Sequence, residues 1–352
     1  MIRIQQMKIL KKLLAAVLIF GMIISSAVSV GAMPTVYPSI TSDPGDTSTQ
    51  VVEIDFPFKG ETVSAEIILG LAPYYGAKHE GSKSTPLFGC SPEKYYAAVA
   101  QDPAQDEMYA KLLGFFTWYA ESHGLTGDEY VELLTTYVQN IPYKTVGAEV
   151  NFPIETVIED QGDCDDKSIL LAGLLARSGY AAGVVVLSEE NHMTAAVKTE
   201  EGESGRSKNQ ISEYILIETT RFAYIGEDSA LIRNRNKNRT RVREEGVILV
   251  GGGAAAYSAS WQIDTILEER GQIVSAIEAL GQEMRILQNE IADQKTLLGQ
   301  SYDQELYEEY EKNLTSYYEC TATCYAYIDT LSVINTGSFS REETYQMVIS
   351  MM

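Results

Sequence analysis

A single cysteine stands where an irregular part of the chain gives way to a strongly helical one. Cys164 lies in the segment Gln-Gly-Asp-Cys-Asp-Asp-Lys-Ser (161–168), and the run that follows to residue 177 consists of apolar or helix-forming residues. A thiol at a helix N-terminus lies at the positive end of the helix dipole, which favours the thiolate form. Cys164 is therefore a candidate nucleophile. The alternative is a small core residue, because free cysteine is among the most frequently buried residue types.

A nucleophilic thiol needs a base, and the chain contains three histidines. His192 is the candidate, because it begins the second of three predicted strands, at about 181–187, 192–197 and 214–220. Glu218 lies in the third strand. A base and a carboxylate on neighbouring strands can converge on a thiol carried by the preceding helix. The other two histidines are interpreted as a helix C-terminal residue, His123, and a loop residue, His79.

The order and local sequence of these residues resemble the core of the transglutaminase-like cysteine enzymes, a family with a papain-like fold. The resemblance rests on the Cys164 motif, on Asn-His-Met around His192 and on Ile-Glu-Thr-Thr around Glu218, and it covers about 137–224. It implies that Cys164 is the nucleophile, His192 the base and Glu218 the third triad member, where many relatives carry aspartate. It also implies an α+β fold in which the helix bearing the cysteine packs on an antiparallel sheet.

The segment Tyr-Val-Gln-Asn-Ile-Pro-Tyr (137–143) also resembles the stretch that precedes the nucleophile in this family. Gln139 is therefore expected to donate its side-chain amide to the oxyanion of an acyl-transfer intermediate, beside the backbone N–H of Cys164. The alternative is an exposed glutamine on a helix that ends before Pro142. No catalytic role is expected for Thr219 or Thr220, which are interpreted as an exposed strand end.

Three aspartates surround the cysteine: Asp163, Asp165 and Asp166. Their carboxylates are hard oxygen ligands, so calcium outside the cell is a candidate cofactor that would offset their repulsion of a thiolate. The competing interpretation is that they are helix N-terminal carboxylates favoured by the dipole. No other cofactor is expected.

The N-terminal sequence and the composition predict an exported protein. A basic flank, an apolar run from about 13 to 30 and small residues near Ala32 are typical of a secretory signal at 1–32, with an uncleaved membrane anchor as the alternative. Both place the bulk of the chain outside the cytoplasm, secreted or at the cell surface. A formal net charge of −22 over 352 residues argues against a nucleic-acid partner. Cys90, Cys320 and Cys324 lack the companions of a zinc site and are interpreted as structural.

Around this core the sequence predicts a linker at 33–50 and, at 51–136, strands and helices that pack on the core. These are a strand pair at 51–58 and 62–71, helices at 92–100 and 105–122, and a helix from Thr126 toward Gln139 that starts with a capping box of Thr126 and Glu129. The catalytic core is expected at 137–253 and a tail at 333–352. The basic segment 233–243 is interpreted either as a solvated ribbon or as a docking site for an anionic substrate.

The C-terminal part of the chain predicts a helical hairpin at 260–332. Between 261 and 298, apolar residues recur in heptads typical of a coiled-coil seam: Ile266, Ile273, Leu280 and Leu287 in one register, and Ile277, Met284, Ile291 and Leu298 in the other. A tyrosine-rich helix at about 304–331 is expected to fold back as the antiparallel partner. Self-association through 261–298 is the alternative.

These features favour an exported cysteine protease or amidase that acts on a protein or peptide through a thioester intermediate. Hydrolysis is favoured over amine transfer, because water is the default acceptor and nothing in the sequence marks an amine site. The alternatives are a protein-crosslinking transglutaminase and a catalytically silent transglutaminase-like binding module. The intact set of cysteine, histidine and acid favours an enzyme.

Overall fold

The computed structural model describes residues 37–84, 91–145, 149–188, 190–200, 210–227 and 246–351. Three of the predictions above fall outside these residues: the signal or anchor at 1–32, the basic segment 233–243 and the role of Cys90.

Among the described residues, a β-hairpin precedes the first helix. It consists of β1 (Thr49–Phe58) and β2 (Glu61–Gly70), which pair antiparallel over their full lengths, as the sequence predicts. Lys59 and Gly60 form the two-residue turn, and both have a positive φ, 52° and 77°, which is the backbone geometry of a tight hairpin turn. Alternate residues of β1 are buried, so one face of the hairpin packs on the core and the other faces solvent.

Within the described residues, five helices lie between this hairpin and Cys164. They are α1 (Ala72–Lys78), α2 (Pro92–Gln101), α3 (Asp106–His123), α4 (Gly127–Asn140) and α5 (Pro153–Glu159), with short 3₁₀ segments at Gly81–Ser84 and Pro103–Gln105. The sequence predicts α2, α3 and α4 but not the seven-residue α1 and α5. α4 starts with the predicted capping box, in which Thr126 and Glu129 exchange hydrogen bonds.

The two remaining histidines lie at the ends of these helices. His123 is the last residue of α3, before Gly124 in the left-handed conformation, which confirms its interpretation as a helix C-terminal residue. His79 lies in the turn directly after α1, in agreement with its interpretation as a loop residue; it caps the C-terminus of this helix, and its Nδ1 lies 2.6 Å from the carbonyl oxygen of Tyr75.

The cysteine helix, α6 (Cys164–Arg177), lies between an antiparallel sheet and three helices. The sheet has the strand order β5-β6-β4-β3-β7, with β3 (Ala182–Leu187), β4 (His192–Lys198), β5 (Gln210–Ile211), β6 (Tyr214–Ile217) and β7 (Ile248–Gly251). α6 packs on β3 and β4 and contacts α2, α4 and α5 elsewhere. Its residues 166–175 are all buried, which explains why apolar side chains occur on nearly every face of this helix.

Three helices complete the chain: α7 (Ser260–Leu298), α8 (Gln304–Thr336) and α9 (Arg341–Ile349). α7 and α8 pack against each other as a long hairpin, and all eight predicted heptad residues of α7 are buried or half-buried. α8 extends about one turn beyond the predicted end at 331. The predicted tail contains α9, which starts with a capping box formed by Ser340 and Glu343.

The tyrosines of α8 divide between two environments. Tyr310, Tyr317 and Tyr327 are half-buried, whereas Tyr307, Tyr318 and Tyr325 are exposed. Cys320 and Cys324 are free and half-buried, and the Cys320 thiol is hydrogen-bonded to Glu283 of α7.

One hydrophobic cluster runs through these elements, from Ile40 near the start of the described chain to Val348 in α9. The structure is therefore mixed α and β with antiparallel sheets and a C-terminal helical region, and the described residues form one compact unit. Within the described residues, no helix has the length and apolar character needed to cross a membrane.

Candidate active site

The candidate nucleophile is the first residue of the most deeply buried helix. Asp163, just before it, has an extended backbone, and its N–H donates to Oδ2 of Asp166 at 3.3 Å, which closes the first turn of α6. Cys164 itself is half-buried. The buried body of α6 therefore fixes the backbone of Cys164, and its thiol lies at the positive end of the helix dipole.

The sheet brings the other two predicted residues together. His192 opens β4, and Glu218 directly follows β6, where Ile217 lies opposite Ala195 of β4. Because neighbouring antiparallel strands hold this register, both side chains reach the same end of the sheet. Nε2 of His192 lies 3.0 Å from Oε2 of Glu218.

The His192 imidazole contacts both partners at once. Nε2 faces the carboxylate of Glu218 at 3.0 Å, and the Cys164 thiol lies close enough to the ring for a hydrogen bond that contributes to the raised pKa of His192. The side chains of His192 and Glu218 are only 11% and 2% exposed, so these interactions occur in a low-dielectric environment.

This environment shifts the pKa values of His192 and Glu218 in opposite directions. Burial alone lowers the pKa of His192, but the hydrogen bonds to Cys164 and Glu218 and the negative charges of both raise it from 6.5 to about 9. Burial alone raises the pKa of Glu218, but the hydrogen bonds from His192 and Thr220 and the charge of His192 lower it to about 2. At neutral pH, the imidazolium form of His192 is therefore favoured, next to Cys164 and the carboxylate of Glu218.

Thr220 holds the second oxygen of the acid. Its backbone N–H and its hydroxyl both donate to Oε1 of Glu218, at 2.7 and 2.5 Å. With Oε1 occupied in this way, Oε2 is directed to His192. The sequence analysis expected no role for Thr220, and no local pattern signals this contact, because the acceptor is a glutamate and the common local turn patterns use the shorter side chains of Asp, Asn, Ser and Thr.

The oxyanion role expected of Gln139 is not available in this structure. Gln139 is buried, and its Nε2 donates to the carbonyl oxygens of Glu218 and Ala223, both at 2.8 Å. Both amide hydrogens are thus used within the protein, and none is left for a substrate. The alternative of an exposed glutamine is wrong as well, since only 6% of Gln139 is exposed.

A second residue near the site was missed by the sequence analysis. Lys167 lies one turn after Cys164, and it is fully buried although lysine is a residue type that normally remains exposed. Burial lowers its pKa to about 8, against the opposing effect of the charges of Glu218 and Asp160. The only sequence signal was a single cation at the start of an otherwise apolar helix.

The three aspartates do not form one ligand set. Asp163, Cys164 and Asp165 each direct a ligand atom to a group whose atoms lie within 4.8 Å of one another. Asp166 points inward instead, where its carboxylate accepts hydrogen bonds from the backbone and side chain of Asn151 at 2.8 and 2.9 Å. Calcium takes about six to eight oxygen ligands, so two carboxylates and a thiol do not make a calcium cage by themselves.

The surroundings of Asp163 favour its protonated form. Burial raises the pKa of Asp163 well above its usual range, and a side-chain hydrogen bond with Asp165 and the charges of Asp166 and Asp165 raise it further. Burial also raises the pKa of Asp166 to about 6. Protonation reduces the negative charge beside Cys164 and therefore the repulsion of a thiolate.

A cavity of about 130 Å³ lies beside Gln139 on the side of the C-terminal helices. Its lining includes Phe222, Ile263 and Arg341, but neither Cys164 nor His192. It is therefore separate from the thiol and its base.

No protein-family model, curated protein or solved structure matches this chain. The functional argument consequently depends on the geometry of the site.

Proposed function

We propose that this chain is an exported, thiol-dependent acyl-transfer enzyme with a transglutaminase-like catalytic core, and that it acts as a cysteine protease or amidase. The observation that carries the proposal is the His192 imidazole, whose Nε2 lies 3.0 Å from Oε2 of Glu218 and whose pKa is raised by Cys164 as well as by Glu218. Nucleophile, base and orienting acid in this order are the arrangement that thiol acyl transfer requires.

In the first step, the thiol proton of Cys164 has passed to His192, and the thiolate sulfur attacks the carbonyl carbon of a peptide or side-chain amide. Negative charge develops on the carbonyl oxygen, and the backbone N–H of Cys164 at the start of α6 is the donor suited to receive it. The imidazolium then gives its proton to the leaving amine, the C–N bond breaks and a thioester remains on Cys164.

In the second step, His192 takes a proton from water, and the resulting hydroxide attacks the thioester carbonyl. The C–S bond breaks, the carboxylic acid leaves and the thiol is regenerated. Glu218 keeps the ring oriented and stabilises the imidazolium in both steps, while Thr220 fixes Glu218.

The proposal is tested by trapping the thioester. The full chain is mixed with p-nitrophenyl acetate, release of p-nitrophenolate is followed in the stopped-flow, and the acetylated residue is located by peptide mass spectrometry. We expect a burst of one equivalent with the acetyl group on Cys164, lost in Cys164→Ala and retained in Cys324→Ala. Acetylation spread over the other cysteines, or a burst that survives Cys164→Ala, would refute the proposal.

The same thioester distinguishes hydrolysis from crosslinking. Addition of a primary alkylamine should leave the turnover rate and the acid product unchanged if water is the acceptor. Formation of the alkylamide as the main product would instead show a transglutaminase. A folded protein without any burst would favour a binding module.

A further inference from the structure

The helix that carries the nucleophile also carries a cation with no access to solvent. The Lys167 side chain is completely buried, and its Nζ donates to two backbone carbonyl oxygens, 3.1 Å away in Gln139 and 2.6 Å away in Ile141. Burying an ammonium group is costly unless hydrogen bonds replace its hydration shell. An apolar side chain would avoid that cost. The role of Lys167 therefore depends on the part of the chain to which the two carbonyl groups belong.

Both carbonyls belong to the C-terminal end of α4. Gln139 lies in its last turn, and Ile141 is the residue that caps it. The last carbonyls of a helix lack intrahelical donors and carry the negative end of the dipole. An ammonium group therefore stabilises them both as a hydrogen-bond donor and as a positive charge. Lys167 thereby fixes the end of α4 to the first turn of the cysteine helix.

From the end of α4, the side chain of Gln139 continues the connection to the triad acid. Its amide donates to the carbonyl oxygens of Glu218 and Ala223, which lie on either side of Thr220 in the same loop. The residue that Lys167 holds by its main chain therefore holds the Glu218 loop by its side chain.

A parallel contact runs from the next residue of α6. The Ser168 hydroxyl lies 3.1 Å from Oγ1 of Thr219 and donates to the carbonyl oxygen of Met193 at 3.2 Å. Ser168 thus contacts the neighbours of Glu218 and His192 in the chain. One turn of α6, from Cys164 to Ser168, is in this way connected to the strands of both other triad residues.

We propose that Lys167 and Gln139 are positioning residues for the acyl-transfer reaction: Lys167 fixes Gln139 to the cysteine helix, and Gln139 fixes the loop that aligns Glu218 with His192. The inference rests on the proposed function, since it assumes that Cys164, His192 and Glu218 act together. Neither Lys167 nor Gln139 touches the reacting atoms, so both act through the alignment of the imidazole.

The test measures iodoacetamide alkylation of Cys164 against pH in the full chain. Lys167→Met and Gln139→Leu each remove one link and keep the side-chain volume similar. The matched control is Lys83→Met, because Lys83 is also a buried lysine but pairs with Glu155 at 2.9 Å, in contacts that do not include the triad. Thermal unfolding of every variant confirms that alkylation is measured on folded protein.

We expect Lys167→Met and Gln139→Leu to move the alkylation midpoint to higher pH by about one unit, which lowers the rate below the midpoint about tenfold. The double variant should be no slower than the slower single variant, because the two residues act in series. Lys83→Met should lower the unfolding temperature and leave the midpoint in place.

If the wild-type thiol shows no activation, the proposed function fails. If the wild-type thiol is activated but the folded Gln139→Leu and Lys167→Met proteins keep its midpoint, the positioning role is refuted while the proposed function stands. Should Lys167→Met fail to fold, an unchanged midpoint in Gln139→Leu alone would refute it. If Lys83→Met shifts the alkylation midpoint as much as Lys167→Met and Gln139→Leu do, the shift is caused by general destabilisation and the inference is also overturned.

Discussion

Replacing Glu218 by glutamine removes the charge that holds His192 in its imidazolium form while keeping the size of the side chain. His192 has its pKa raised from 6.5 to about 9, although burial acts in the opposite direction. The difference of these values corresponds to about 3 kcal/mol of preference for the charged ring. An opposite charge at this distance contributes about one to three pKa units, so the Glu218→Gln variant should lose a large part of that preference.

The assay is a titration of the full chain, labelled with ¹³C in histidine, by NMR. The chain has three histidines, so three ring signals are expected, and the His192→Gln variant identifies the one from His192. In wild type, this signal should titrate near pH 9. In Glu218→Gln, its midpoint should fall by about one to three units, while the signals of His79 and His123 serve as internal references.

Two results would refute the reasoning. If His192 titrates at or below pH 6.5 in wild type, its contacts with Cys164 and Glu218 do not stabilise the imidazolium. If the midpoint is the same in Glu218→Gln and wild type, the 3.0 Å contact carries no charge interaction and Glu218 is not the third triad residue.

The remaining predictions concern stability and its pH dependence. Thr220→Val removes a hydroxyl donor to the triad acid and should lower the free energy of urea unfolding by about 1.5–3 kcal/mol. Thr219→Val loses only a neutral hydrogen-bond partner and should lower it by about 0.5–1.5 kcal/mol. Equal losses in the two variants would contradict this ranking. Because the pKa of folded His192 is raised, its stabilising contribution is complete below about pH 6.5 and is lost as pH rises through about 9. The stability difference between wild type and His192→Gln should therefore shrink over that interval, and a difference that grows there would have the wrong sign. Arg341→Met breaks the 2.5 Å ion pair with Glu132 that ties α9 to α4 and should cost about 3 kcal/mol, whereas an unchanged urea midpoint would show that this contact is solvated.

Local sequence patterns were sufficient for much of the fold. The heptad residues of α7 were predicted because a seam repeats along one helix and needs no knowledge of the rest of the chain. The capping box at Thr126 and the strands around His192 were predicted for the same reason. α9 was missed because nine residues hold too few turns for an apolar period to appear against the background of a polar tail.

The errors in the site arise from contacts between distant parts of the chain. The amide of Gln139 binds carbonyls of residues 218 and 223, and no local pattern around Gln139 reports where that loop passes. Asp166 is the same residue type as the neighbouring aspartates, yet its carboxylate is buried and accepts hydrogen bonds from Asn151. Side-chain direction at these positions is set by tertiary packing, which the order of residues in one segment does not specify.

Which tyrosines of α8 are exposed and which are half-buried could also be determined only from the structure. A helix with tyrosine at many positions has aromatic residues on several faces, so composition alone does not show which face meets α7.

The most direct test of the central claim is the pH dependence of iodoacetamide alkylation at Cys164 in wild type and His192→Ala, read by peptide mass spectrometry with Cys320 and Cys324 as references in the same sample. A thiolate paired with imidazolium predicts rapid alkylation of Cys164 well below the pH at which a free thiol reacts, and loss of that reactivity in His192→Ala. Alkylation of Cys164 at the rate of the reference cysteines, or a profile indifferent to His192, would contradict the account.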